Sequence, residues 1–134
     1  MSDASERPTF RIAILVTEDL ADGADFYRAI FGPPTVAVAN YEEYALRGAS
    51  IARWTRAGAR KVWGLPLMES AGSASPQHEL YLYVGDPDAL GQLGVDAGGS
   101  LLAAGRDYDW GDYAVYLQAP DGHVIVLARP WSGV

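Results

Sequence analysis

The side chains of this sequence that could do chemistry are two histidines, one glutamate beside a histidine, and a scatter of tyrosines and tryptophans. His78 and Glu79 precede an alternating run, Glu79-Leu-Tyr-Leu-Tyr-Val84, in which Glu79, Tyr81 and Tyr83 share one face of a strand. A carboxylate beside tyrosine hydroxyls can act as a general base with hydrogen-bond donors at hand. The same face without a proton to move is an aromatic binding surface. His123 follows the turn Pro120-Asp121-Gly122, a place for structural capping. No nucleophile–base constellation emerges, because neither histidine sits in a nucleophile-elbow context. The chain has no cysteine, which removes disulfides, thiol nucleophiles, thiolate zinc sites and iron–sulfur clusters together. Gly94, Gly98 and Gly99 end a helix rather than begin one, so they make a poor phosphate cradle.

The elements that must hold these residues read as one unit written twice. Residues 10–16 form a β-branched, aliphatic strand, followed by a helix capped by Thr17 or Asp19 that runs to about Phe31 and stops at Gly32-Pro33-Pro34. Strands are expected at 35–40, 42–47 and 50–55. The series then restarts with a strand at 79–84, a helix opened by Asp86-Pro87 that fades at Gly98-Gly99, and strands at 100–104, 112–118 and 123–129. Gly48 with Ile51 in the first copy matches Gly122 with Ile125 in the second. The whole chain, 1–134, is then a single domain with module one at about 10–55, a joint at 56–76 and module two at about 77–130. A joint of that length is a common home for function.

Composition narrows the partners. The chain has 134 residues, 49% of them apolar, and a net charge of −7, an ordinary soluble domain and a poor match for nucleic acid, whose binding rests on phosphate neutralisation. No uncharged apolar run approaches the ~18 residues of a membrane helix. The polar, acidic first residues do not read as a signal peptide, so the expected location is cytoplasmic. Charge is uneven: between Glu43 and Glu69 the only charged residues are Arg47, Arg53, Arg56, Arg60 and Lys61. That stretch reads as a solvated strand edge and loop, or as a surface docking against the acidic remainder of a second subunit.

Three segments resemble the vicinal oxygen chelate superfamily, which includes glyoxalases, extradiol dioxygenases, fosfomycin-resistance transferases and bleomycin-resistance proteins. They are the strand Arg11-Ile-Ala-Ile-Leu-Val16, the helix segment Asp19-Leu20…Phe26-Tyr27…Phe31-Gly32, and Trp110-Gly111…Ala119-Pro-Asp-Gly-His-Val-Ile-Val-Leu127. The resemblance spans about residues 10–130 and implies an α+β fold of two βαβββ modules, curled mixed sheets around a cavity, paired in a homodimer. It also implies four metal-ligand positions, which here read Arg11, Ala52, Glu79 and Val126, with His78 one place from Glu79. That set does not make a metal site, so no metal or other cofactor is expected.

If those positions face the cavity, strand alternation sends Arg11, Ala13, Leu15, Ala52, Trp54, Glu79, Tyr81, Tyr83, Val124, Val126 and Ala128 inward. Ile12, Ile14, Val16, Leu80, Leu82, Val84, Ile125 and Leu127 then pack under the helices. By resemblance Tyr116 also faces the cavity, and Trp63 and Trp110 lie on its rim. The expected ligand-binding set is therefore Arg11, Trp54, Trp63, Glu79, Tyr81, Tyr83, Trp110 and Tyr116, with no catalytic residue. An apolar crevice lined by Tyr and Trp suits a flat aromatic molecule. The expected function is an antibiotic-binding self-resistance protein that sequesters a bleomycin-, mitomycin- or enediyne-like natural product. The alternative is a glyoxalase/dioxygenase-fold enzyme, a lyase, isomerase or cyclase acting on a small or polyketide-like substrate, either metal-dependent through His78 and Glu79 or metal-free with Glu79 as general base.

Overall fold

The computed structural model describes residues 7–64 and 78–131. In chain order its elements are β1 (Ile12–Thr17), α1 (Ala24–Phe31), β2 (Val36–Val38), β3 (Tyr41–Ala45), β4 (Ser50–Thr55), α2 (Arg56–Trp63), β5 (Glu79–Tyr83), α3 (Pro87–Asp96), β6 (Ser100–Asp107), β7 (Asp112–Gln118) and β8 (Val124–Pro130). They make two four-stranded sheets of identical plan, β1-β4-β3-β2 and β5-β8-β7-β6. In each, the first strand pairs parallel with the last and the other pairs are antiparallel. The architecture is α+β, built from two similar modules. The turns that lead into β4 and β8 contain Gly48 and Gly122, both at positive φ (76° and 97°), a conformation that glycine adopts without a steric penalty.

The modules meet through their helices. α1 packs on α3, and one core joins Leu15, Phe26, Tyr27, Tyr44 and Ile51 of module one to Val115, Leu117, Ile125 and Leu127 of module two. Glycine permits the approach: a Cβ at Gly94 would lie 3.0–3.1 Å from Leu117, Ile30 and Phe26. Beside this core, the Asp121 carboxylate accepts from Tyr27 Oη at 2.9 Å and from Arg53 Nη2 at 3.3 Å. His123 Nε2 lies 3.0 Å from the Val16 carbonyl, so the second histidine ties the modules together as a structural residue.

Several expectations need correction. α1 begins at Ala24 behind Gly23, not at Thr17 or Asp19; the Asp19 carboxylate instead accepts from the Ala21 N–H at 2.9 Å and stabilises a turn. The joint opens with a helix, α2, whose N-cap Thr55 accepts from the Gly58 N–H at 3.1 Å. The rest of the joint, 65–76, lies outside the described residues.

The face reading of β1 is reversed. Ala13 and Leu15 pack into the core, while Ile14 is 43% exposed on the other face. Both faces of this strand are apolar, so alternation alone could not choose between them. Arg53 is not a solvated cation either: its side chain is 0% exposed. It lies 4.3 Å from the Tyr27 ring centre, donates to the carbonyls of Leu20 and Asp22, and pairs with Glu42 and Asp121.

Candidate functional site: two open aromatic faces

Each sheet has one face under the helices and one turned away from them. In module two the outward face carries Glu79, Tyr81 and Tyr83 of β5, since Leu80 and Leu82 take the core side. That outcome also fixes the register at Glu79 and sends His78 toward His123, with ring centres 6.3 Å apart. Across β8 and β7 the same parity gives Val124, Val126 and Ala128, then Tyr116, Ala114 and Asp112. Ala114, Val126 and Ala128 are buried as a small-residue floor beneath Tyr108 and Tyr116.

The rings form a connected wall. Tyr108 stacks on Trp110 with centroids 4.5 Å apart and an interplanar angle of 20°, and meets Tyr116 edge-on at 5.7 Å. Tyr81 and Tyr83 form an edge pair at 6.4 Å. Asp112 ties them: it accepts from Tyr81 Oη at 2.7 Å and from Tyr83 Oη at 2.9 Å, while Trp110 Nε1 donates to Tyr81 Oη at 2.9 Å. Tyr83 and Trp110 remain 65% and 55% exposed, so the rings are held from behind and open in front.

The surroundings of these phenols raise their pKa above the ordinary value of 10.0. The Tyr81 pKa is pushed up to about 12 by burial and by the Asp112 carboxylate, against the Trp110 N–H, which pulls it down. That of Tyr83 is raised first by its bond to Asp112, and that of Tyr116 by burial and then by the negative charge of Glu79.

Module one presents a smaller aromatic ledge. Trp54 on β4 meets Trp63 on α2 edge-on at 5.7 Å. Gly58 lets α2 lie on the Trp54 indole, because a Cβ there would come within 2.6 Å of Trp54 Nε1. Tyr41 Oη donates to Glu43 Oε1 at 2.6 Å, and Arg11 lies 3.7 Å from the same carboxylate with its side chain largely exposed. Arg11 precedes β1, and the strand residue that follows it on the outward face is Ile12.

The structure thus brings Tyr81, Tyr83, Trp110 and Tyr116 together, and separately Trp54 with Trp63. It sets Arg11 apart beside Glu43. Among the described residues the two outward faces do not pack on one another, since the modules meet through α1, α3 and the Asp121 turn. Sequence reasoning missed Tyr108, Asp112 and Arg106 in module two and Tyr41 and Glu43 in module one. Asp112 was within reach, since counting back by twos from Tyr116 passes through Ala114 to Asp112.

The metal implied by the resemblance does not fit. Only Glu79 among Arg11, Ala52, Glu79 and Val126 offers a ligand atom, and replacing Arg11 by the strand residue Ile12 leaves the count unchanged. Among the described residues no group of three or more His, Asp or Glu could hold an ion.

No protein-family model matches the sequence, and no curated protein matches it significantly. Solved structures do. A glyoxalase-related enzyme from Fulvimarina pelagi shares 26% identity at a TM-score of 0.75, over 89% of this chain and 86% of that one. The chain has the vicinal oxygen chelate fold. A glyoxalase/bleomycin resistance protein/dioxygenase from Nocardioides superposes with a TM-score of 0.76 at 20% identity, over 98% of this chain and 89% of that one. A family enzyme of the same description from Burkholderia phytofirmans PsJN gives 0.79 at 16% identity, covering 92% and 99%. No helix among the described residues of this vicinal oxygen chelate fold is long and apolar enough to cross a membrane.

Proposed function

We propose that the protein binds a flat aromatic small molecule on the ring wall of module two and holds it unchanged, sequestering a toxic natural product of the bleomycin, mitomycin or enediyne kind. The wall itself carries this reading: five rings over a floor of small apolar residues, with hydrogen bonds that stiffen the rings from behind. A donor set with one carboxylate supports binding over metal-assisted chemistry. A nanomolar complex needs ~12 kcal/mol, within reach of a large aromatic ligand buried on both sides.

Burial on both sides requires a second copy. Two separate apolar faces left open in one chain, with Ile14 and Tyr83 among their exposed residues, favour a homodimer in which module one of one copy covers module two of the other. Each crevice would then join Trp54 and Trp63 from one protomer to the ring wall of its partner.

The test is a tryptophan-fluorescence titration against a panel of DNA-damaging antibiotics, with the ligand weighed by mass spectrometry afterwards and the assembly state measured by sedimentation. Saturable quenching, intact ligand and a dimer are expected. A recovered compound of altered mass would replace this reading with the enzymatic one, with Glu79 as the base. No response to any compound would sink the sequestration reading and leave the fold standing.

A further inference from the structure

Buried or half-buried carboxylates in the described chain come in two kinds. Glu42 meets Arg28 and Arg53, Asp121 meets Arg53, and Glu43 meets Arg11. Asp112 is different. It is 6% exposed, yet its partners are phenols, Tyr81 at 2.7 Å and Tyr83 at 2.9 and 3.2 Å, and it takes part in none of the ion pairs of the described residues. Neutral donors offset only part of the cost of burying a charge, and a counter-ion offsets more.

The donors on this part of the wall are already used. Both phenol protons point at Asp112, and the Trp110 N–H points at Tyr81 Oη. What the cluster offers a ligand is oxygen lone pairs and ring faces, with the Glu79 carboxylate on the same face of β5. Among the described residues the basic side chain of this face is Arg106 of β6, held 4.3 Å over the Tyr108 ring. Acceptors, aromatic faces and an uncompensated negative charge together select a cation that donates hydrogen bonds.

We propose that the ligand of the module-two wall is a planar cation, an aromatic system carrying a protonated amine or amidine, which lies on Tyr83 and Trp110 with its charge beside the Tyr81–Tyr83–Asp112 cluster. This rests on the reading above that the wall binds a flat molecule, and adds the charge and hydrogen-bonding sense of that molecule.

Equilibrium dialysis tests it with two probes of matched shape: 9-aminoacridine, a cation at neutral pH, and anthracene-9-carboxylate, an anion. The wild-type protein should bind the cation saturably and at least about tenfold more tightly than the anion. Asp112→Asn, which keeps an acceptor for one phenol but removes the charge, should erase most of that preference while leaving anion binding undiminished. Tyr83→Phe, which removes the outermost oxygen and keeps the ring, should weaken the cation by a smaller factor. It also serves as the second variant should Asp112→Asn fail to fold. Saturable binding without charge preference, or a preference that survives both substitutions, overturns the planar-cation proposal and leaves aromatic binding standing. Absence of saturable binding by either probe overturns both.

Discussion

The two modules share one strand plan and put their buried charge to opposite ends. In module one the carboxylate of Glu42 lies on the helix side, where Arg53 and Arg28 neutralise it and Arg53 reaches across to Asp121 of module two. In module two the carboxylate of Asp112 lies on the outward side, where two phenols hold it and, among the described residues, no cation does. The first arrangement fastens the halves of the molecule together. The second fixes aromatic rings in place and leaves their negative edge available. The same repeat has therefore specialised one copy's polar residues for cohesion and the other's for recognition.

The largest expected effect tests the cohesive half. Arg53→Met should destabilise the protein by about 3–5 kcal/mol in denaturant unfolding, because Glu42 and Asp121 lose their buried counter-charge. Asp112→Asn should cost only about 1 kcal/mol, since an amide oxygen still accepts from a phenol. Equal losses in the two variants would erase the distinction between a paired and an unpaired buried carboxylate.

Next in size is the helix crossing that joins the modules. Gly94→Ala would press a methyl against Leu117, Ile30 and Phe26, and should lower stability by about 1–3 kcal/mol with little change in ligand binding. An unchanged melting temperature would show that the α1–α3 contact is looser than its geometry.

The recognition half should respond in binding rather than stability. Trp54→Ala or Tyr81→Ala should weaken the ligand by about tenfold, or ~1.4 kcal/mol, with the folded state largely retained. If Tyr81→Ala matters and Trp54→Ala does not, the module-one ledge does not contribute to the crevice. Unchanged affinity in both would sink the assignment of these faces.

The smallest effect is alkaline. The folded-state pKa of Tyr41, Tyr44 and Tyr81 is raised from 10.0 to about 12, with burial the leading cause. A raised pKa favours the protonated folded state, so this stabilisation is complete below pH 10 and is lost as pH climbs through about 12. Absorbance titration of tyrosinate should show these three ionising late, and unfolding midpoints should fall over the same interval. Ionisation of all eight tyrosines near pH 10 would remove the carboxylate–phenol bonds from both modules.

Much of the fold and part of the site could be read from residues alone. Strands β4 and β7 fall at the expected 50–55 and 112–118, and Asp86-Pro87 opens α3 as its capping chemistry requires, with Asp86 accepting from the Ala89 N–H at 3.1 Å. Helix α2 was not legible because its signals, Thr55 as cap and Gly64 as stop, sit in a basic, glycine-containing stretch with few large apolar residues. Asp112 was overlooked because a carboxylate at a strand start is ordinarily a solvated one.

On its own, the sequence determined the repeat, the succession of elements along each copy, and the face of β5 that carries Glu79, Tyr81 and Tyr83. There a polar and aromatic set alternates with an aliphatic one, and only the aliphatic set can be buried without leaving polar atoms unpaired. Tertiary structure decided the face of β1, the burial of Arg53 and the gathering of Tyr108, Trp110 and Asp112 around the β5 tyrosines. In β1 both faces are apolar, so only the neighbouring strand and the helix above could choose. Arg53 meets Asp121 across 68 residues and Asp112 meets Tyr81 and Tyr83 across 31 and 29, and no local pattern says whether a charge will meet a cation, a phenol or water.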